Sequence, residues 1–319
     1  MNRAIITEGR GVLYKDFPDP KLQPRSVIIE QKALGLNYDD IKVLDGSVQN
    51  PNKYGIFGIE ASGIVVASSR DGIKNFQIGD RVCYATYNPG AFVKYRSVHE
   101  NYLMPVPKYC EIEDGATLLK GLISYTLLGK VFVMKPPASI ILSGASGGVG
   151  SIITQIATKA GFKLIALTSS DAKKDFIRSN GAKHIINYKK ESVVDAVREI
   201  TRGEGADFFF DCLGRDAERF AFQALKTRGF FLSFGVITGE PTRLTLEAQR
   251  EKSITTTRIS MSNFITDYTN LVTTSLAYFK SIQAKVIQPK ISNYNFKDAE
   301  KAFREIKNGT SVGQKVLVL

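Results

Sequence analysis

A short apolar run, Ser139-Ile140-Ile141-Leu142-Ser143, passes directly into Gly144-Ala145-Ser146-Gly147-Gly148-Val149-Gly150 and then into residues of helical period. That junction has the chemistry of a phosphate cradle. Backbone N–H groups at a helix start attract an anion, and glycines keep Cβ atoms out of its way. Gly147 and Gly148 would admit the pyrophosphate of a dinucleotide and Gly150 would let helix and strand pack closely, with Ala145, Ser146 and Val149 completing the loop. The usual first glycine of GxGxxG is Ala145 here, with Gly144 one place earlier. The strand-to-helix context therefore carries the expectation more than the bare pattern does.

The end of the next β-run sets which dinucleotide would fit. An Asp or Glu there would accept the ribose hydroxyls of NAD. The residues are instead Thr168-Ser169-Ser170, with Lys173 one turn on and Tyr188 at the following strand end. Two hydroxyls, an ammonium and a phenol suit the 2′-phosphate of NADPH. Asp171 would oppose that phosphate if its carboxylate turned inward.

These groups need a scaffold, and the chain supplies one from about Gly115. Apolar β-runs at 139–143, 163–168, 184–187, 206–211, 229–235 and 253–259 alternate with helical periods, the signature of a doubly wound parallel sheet. Six strands is the count of a full Rossmann sheet. Val149, Ile152, Ile153, Ile156 and Ala157 recur at helical spacing, and Gly161 follows as a stop. Before it, β-runs at 26–30, 63–67, 80–85 and 91–98 are punctuated by Pro18, Pro20, Pro24, Gly79 and Pro89, which predicts a β-rich domain. After it come helices over 264–284 and 298–308, the second with Asp298 as N-cap and Ala299, Ala302, Phe303 and Ile306 on one packing face, then a strand at 315–319.

Length and composition agree with this division. A single core stops growing near roughly 250–300 residues, so 319 residues, 43% hydrophobic, imply two cores. The absence of about 18 consecutive apolar residues or a signal-length apolar start predicts a soluble cytoplasmic protein without a membrane span. Cys83, Cys110 and Cys212 form no CxxC pair, which argues against disulfides or a clustered zinc site. The net charge of +12 is spread along the chain, a field that favours anionic ligands and permits weak nucleic-acid binding.

The Gly79-Asp80-Arg81-Val82 turn, the glycine loop, Gly181-Ala182 with Ile186-Asn187-Tyr188, and the run 206–211 before Gly214 resemble the medium-chain dehydrogenase/reductase superfamily over nearly the whole chain. Lys120-Gly121-Leu122 and Ser233-Phe234-Gly235 resemble its quinone oxidoreductase branch. The resemblance implies an α/β fold, with a GroES-like catalytic domain over 1–118 and 260–319 and a Rossmann NADPH-binding domain over 119–259. It also implies a homodimer paired through the cofactor-domain sheets and transfer of hydride or electrons from NADPH to an electrophilic acceptor between the domains. It places Asn37 beside the nicotinamide ribose and the acceptor, and assigns Lys120, Leu213 and Phe234 to the cofactor.

Zinc-dependent alcohol dehydrogenases of the superfamily hold their catalytic metal with a Cys and with the His of a Gly-His-Glu motif. Those positions are Asn37 and Ile59 here, the four-cysteine structural site is missing, and only His99 and His184 occur. No metal site is therefore expected, since a catalytic zinc needs about three protein ligands. Without a Lewis acid, a quinone or activated alkene is a more accessible acceptor than an alcohol–ketone pair.

Around that acceptor the expected polar side chains are Asn37, Tyr38 and Tyr84, with Asp40 and Tyr125 as further lining; His99 and His184 are expected to be structural. Lys42, Ile123 and Val236 stand where bacterial relatives of this branch carry Tyr, Thr and Asn, which predicts a more apolar pocket. Quinone reduction leads. The alternative is reduction of α,β-unsaturated carbonyls with a Tyr as proton donor. A structural or RNA-binding role, as among zeta-crystallin relatives, finds no arginine-rich segment to support it.

Overall fold

The computed structural model describes residues 2–8, 11–69, 75–243, 245–265 and 267–319. The chain divides into two compact units, one comprising Met1–Leu122, Ser262–Lys285 and Pro289–Leu319, the other Ile123–Met261 with Val286–Gln288. Lys120 thereby falls in the first unit, whereas the sequence boundary at 119 assigns it to the second.

The first unit opens with an antiparallel hairpin, β1 (Asn2–Glu8) and β2 (Gly11–Phe17), that the β-run reading did not anticipate. It continues through β3 (Ser26–Gly35), α1 (Tyr38–Leu44), β4 (Glu60–Ser68), β5 (Arg81–Ala85), β6 (Tyr95–His99), β7 (Leu103–Pro105), a one-turn α2 (Ile112–Gly115) and the start of α3 (Leu118–Gly129), whose residues from Ile123 on belong to the second unit. The expected strand at 91–98 begins only at Tyr95. Before it, Val93 makes one isolated bridge to Ala4, and Gln31 binds the Ala91 and Val93 carbonyls through its side chain.

The second unit runs β8 (Ser139–Leu142), α4 (Gly148–Lys159), β9 (Lys163–Thr168), α5 (Lys174–Ser179), β10 (His184–Asn187), α6 (Val193–Ile200), β11 (Ala206–Asp211), α7 (Ala221–Ala224), β12 (Leu225–Ser233), α8 (Leu246–Lys252) and β13 (Thr255–Arg258). Its six strands are all parallel, in the order β10-β9-β8-β11-β12-β13. The apolar runs are continuous because both sheet faces are covered. Ile141, Ile165, Leu167, Phe209 and Phe231 pack on one side, and Ile140, Leu142, Leu164, Phe208, Phe210 and Leu232 on the other.

The chain then returns to the first unit through α9 (Ser262–Ile265), α10 (Tyr268–Gln283), β14 (Ile291–Asn295), α11 (Ala299–Lys307) and β15 (Gln314–Val318). The single helix expected over 264–284 is thus two helices; Thr266, between them, lies outside the described residues. Asp298 sits at the N-cap of α11 without a side-chain cap bond. Asn295 instead caps the short 3₁₀ turn before it, accepting from the Lys297 N–H. Phe303 on α11 packs against Phe57 and Phe92, at ring-centroid separations of 5.6 and 5.9 Å. The principal sheet of this unit has the order β14-β15-β3-β4-β5-β7, with β6 on β3.

Candidate functional site

Strand order reverses between β8 and β11, and in an open parallel sheet a ligand binds at the carboxyl ends of the strands at such a point. The glycine loop lies there. Gly144 has φ +65°, and a Cβ on it would stand 2.5 Å from Cys212 Sγ, while Ala145 is wholly buried. The glycine displaced by one residue is thus the one whose backbone requires it. A Cβ on Gly150 would meet the Gly144 carbonyl at 2.1 Å, so only glycine permits this turn from strand into helix.

Gly147 is the N-cap of α4 and offers no side-chain cap, whereas Ser192 caps α6, Thr245 caps α8 and Asp267 caps α10. The first N–H groups of an α-helix have no intrahelical acceptor. At α4 they are left to a ligand, and the helix dipole favours an anion. The loop residues therefore fit a pyrophosphate.

Sequence reasoning missed the group that braces this junction. The buried Asp211 carboxylate accepts from Ser143 Oγ, from the backbone N–H groups of Leu213 and Gly214, and from Thr242 Oγ1, at 2.9 to 3.1 Å. Burial raises its pKa against these four bonds. Leu213 follows β11 after Cys212, and Phe234 follows β12 directly, its N–H donating to the Asp211 carbonyl at 2.8 Å.

At the end of β9, Ser169, Ser170 and Lys173 are half-buried, and burial raises the Tyr188 pKa against the opposing effect of the nearby Ser169 side chain. Ser170 occupies a cap position but its side chain makes no cap bond. Burial, and after it the nearby Lys189 ammonium, push the Lys173 pKa down, so this corner gathers two cationic side chains. Asp171 does not oppose it. Its carboxylate is held by Asn187, Lys190 and Lys174, which together lower its pKa.

The first unit assembles a second constellation. Asn37, between β3 and α1, donates through Nδ2 to the Gly35 carbonyl at 3.3 Å and to Glu60 Oε2 at 3.2 Å. The same Glu60 oxygen takes the Lys120 ammonium at 2.5 Å, and its other oxygen accepts the Leu119 N–H. Glu60 is 0% exposed and Lys120 5%. Glu60 thus ties Asn37 to the start of α3, and Lys120 meets any ligand as an ion-paired ammonium. The Asn37 N–H donates to Asp40 Oδ2 at 2.7 Å, and burial raises the Asp40 pKa to about 8.

Tyr38 is half-buried at the start of α1 and Tyr125 half-buried on α3. Tyr84 is a correction. It is 0% exposed inside the first unit, donates to Gln31 Oε1 and accepts from Arg96, so its hydroxyl is a core group with no route to a substrate. His99 accepts the Asn101 N–H through Nδ1, a local structural bond, and His184 opens β10.

At the two positions matching zinc ligands, Asn37 presents a committed amide N–H₂ and Ile59 a core side chain. These residues do not fit a catalytic zinc. Among the described residues no cluster of three His, Cys, Asp or Glu side chains could hold a metal, and no helix is long and apolar enough to cross a membrane.

A parallel sheet with an uncapped glycine loop at its switch point, carried on a chain with a separate β-rich unit, defines a dinucleotide-dependent dehydrogenase or reductase. Residues 23–108 match the alcohol dehydrogenase GroES-like domain and 148–277 the zinc-binding dehydrogenase family. A quinone oxidoreductase of Salmonella typhimurium is 31% identical over 308 residues, 95% of this chain and 94% of that protein. The structure of Escherichia coli quinone oxidoreductase complexed with NADPH superposes over 100% of both chains with a TM-score of 0.94 at 30% identity. A 2-haloacrylate reductase from Burkholderia is 27% identical over 92% of this chain and 91% of its own. The chain belongs to the medium-chain dehydrogenase/reductase superfamily, in its quinone oxidoreductase branch.

Proposed function

We propose that this chain is a zinc-independent, NADPH-dependent oxidoreductase whose acceptor is a quinone. The observation that carries the cofactor choice is the corner of Ser169, Ser170, Lys173 and Tyr188, where hydroxyls and an ammonium gather and the carboxylate of Asp171 is already paired. Bound NADPH supplies a hydride. The chain's own groups do the rest: the start of α4 holds the pyrophosphate, the β9 corner the 2′-phosphate, and Leu213 and Phe234 line the cofactor at the strand ends. Lys120 adds an ion-paired ammonium to that hold.

Asn37 and Tyr38 are the polar groups we assign to the acceptor, with Asn37 fixed by Glu60 so that its amide needs no reorganisation. Zinc independence rests on Asn37 and Ile59, neither of which supplies the ligand a catalytic zinc would need. A quinone suits such a site because hydrogen bonds alone can stabilise the reduced oxygen. Pairing of two copies through the free edge of β13 completes the proposal.

The likeness to 2-haloacrylate reductase favours one second reading, reduction of an activated alkene. Oxidation of NADPH with a benzoquinone, a naphthoquinone and a crotonyl thioester separates the two. Turnover with the quinones is expected; turnover confined to the thioester would overturn the quinone assignment.

A further inference from the structure

Within the first unit, a cavity of about 300 Å³ opens between β6 and the turn after β5, a size in the range of small-ligand sites. Arg96, Ser97 and His99 on β6, Thr86 and Asn88 after β5, and Gln23 before β3 are among its lining residues, and none of the lining side chains is a carboxylate. Arg96 stands out by its lack of a counter-charge. Among the described residues no carboxylate oxygen lies within salt-bridge distance of its guanidinium. It donates from Nη1 to Tyr84 Oη at 3.2 Å and from Nη2 to the Asn88 carbonyl at 2.7 Å, and it lies 5.1 Å from the Tyr84 ring centroid.

Of the five N–H donors of a guanidinium, these two bonds leave three for a ligand. The other polar groups point to the same chemistry. His99 accepts through Nδ1, so its proton sits on Nε2 and can be donated. Thr86 Oγ1 accepts from the Asn88 N–H, which leaves its hydroxyl hydrogen to give. Arg96, the Thr86 hydroxyl and the His99 imidazole thus line one cavity whose lining offers no acid.

We propose that this cavity is a binding site for a small oxyanion, a phosphate or a carboxylate, separate from the glycine loop, which belongs to the other unit. The anion pairs with Arg96 and takes the remaining donors. Because Arg96 also holds Tyr84 and the 88 carbonyl, occupancy joins β6 to the turn after β5 and stabilises the first unit.

The test is calorimetric titration of the full chain, saturated with NADPH, with inorganic phosphate in one arm and citrate in the other, at ionic strength matched with chloride. Asn88→Asp is the chief variant. It is exposed and isosteric, and it places a carboxylate beside Arg96. It is expected to weaken binding about tenfold or more without lowering the melting temperature, and Arg96→Gln is expected to abolish binding. The arm that binds identifies the anion as phosphate or carboxylate. Repeating the titration with Lys173→Ala discounts phosphate taken by the cofactor corner, so failure of the NADPH assignment leaves this result readable. Binding equal in wild type and Asn88→Asp, or absent in both arms, would overturn the proposal.

Discussion

Replacing Glu60 by Gln would leave Lys120 as a buried ammonium without its carboxylate. Neither side chain is solvated enough for water to screen the loss, since Glu60 is 0% exposed and Lys120 5%. Removing one member of a buried pair costs about 3–5 kcal/mol, because the other charge stays desolvated and unpaired. That is a large share of the ~5–15 kcal/mol that holds a typical protein folded. The new amide oxygen can still accept the Leu119 N–H, but its nitrogen would add a donor beside the Asn37 amide and the Lys120 ammonium, which are donors already.

The assay is chemical denaturation of wild type, Glu60→Gln, Lys120→Met and the double variant. The cycle should give a coupling of about 2–3 kcal/mol, with the double variant recovering much of what Glu60→Gln loses. A Glu60→Gln cost under about 1 kcal/mol, with coupling near zero, would refute the claim that this pair anchors Asn37 and α3.

Three further outcomes follow from the same geometry. Lys173→Ala should weaken NADPH about ten- to a hundredfold while leaving NADH nearly unchanged, the scale of one hydrogen bond to a charged group; equal losses by calorimetry would remove Lys173 from the 2′-phosphate. Asp40, with its pKa raised from 3.8 to about 8, keeps its proton in the folded chain where the unfolded chain has lost it. Its stability contribution is therefore lost as pH rises from about 4 to about 8, by up to about 1.4 kcal/mol per pH unit. The melting temperature of Asp40→Asn should accordingly fall less steeply over that window than wild type, and parallel curves would contradict this. Tyr84→Phe should cost about 1–3 kcal/mol of stability by leaving the buried Gln31 oxygen unpaired, with turnover unchanged; a tenfold drop in kcat at intact stability would return Tyr84 to the active site.

The second unit was the more legible of the two in sequence. Its β-runs at 163–168, 184–187 and 206–211 match β9, β10 and β11 in full, because strands covered on both faces are written as unbroken apolar stretches. The hairpin of β1 and β2 gave no such signal, since β2 is largely solvent-facing and carries Tyr14, Lys15 and Asp16 in its middle. β14, Ile291-Ser292-Asn293-Tyr294-Asn295, is hidden for the same reason.

At the site, the glycine loop could be read because all its parts are contiguous. Glu60 could not, since its partners Asn37 and Lys120 lie 23 and 60 residues away and only the fold joins them. The Gly58-Ile59-Glu60 triplet was informative for the histidine it lacks, and the retained Glu was the overlooked signal. Tyr84 misled because tyrosine on a short strand can face either way, and alternation alone does not say which face is core.

The most direct test of the account is the rate of NADPH oxidation with a benzoquinone by protein dialysed against a strong chelator and shown by metal analysis to be zinc-free. The rate should equal that of untreated protein and should not respond to added zinc. A rate lost on chelation and restored by zinc would contradict a metal-free reductase.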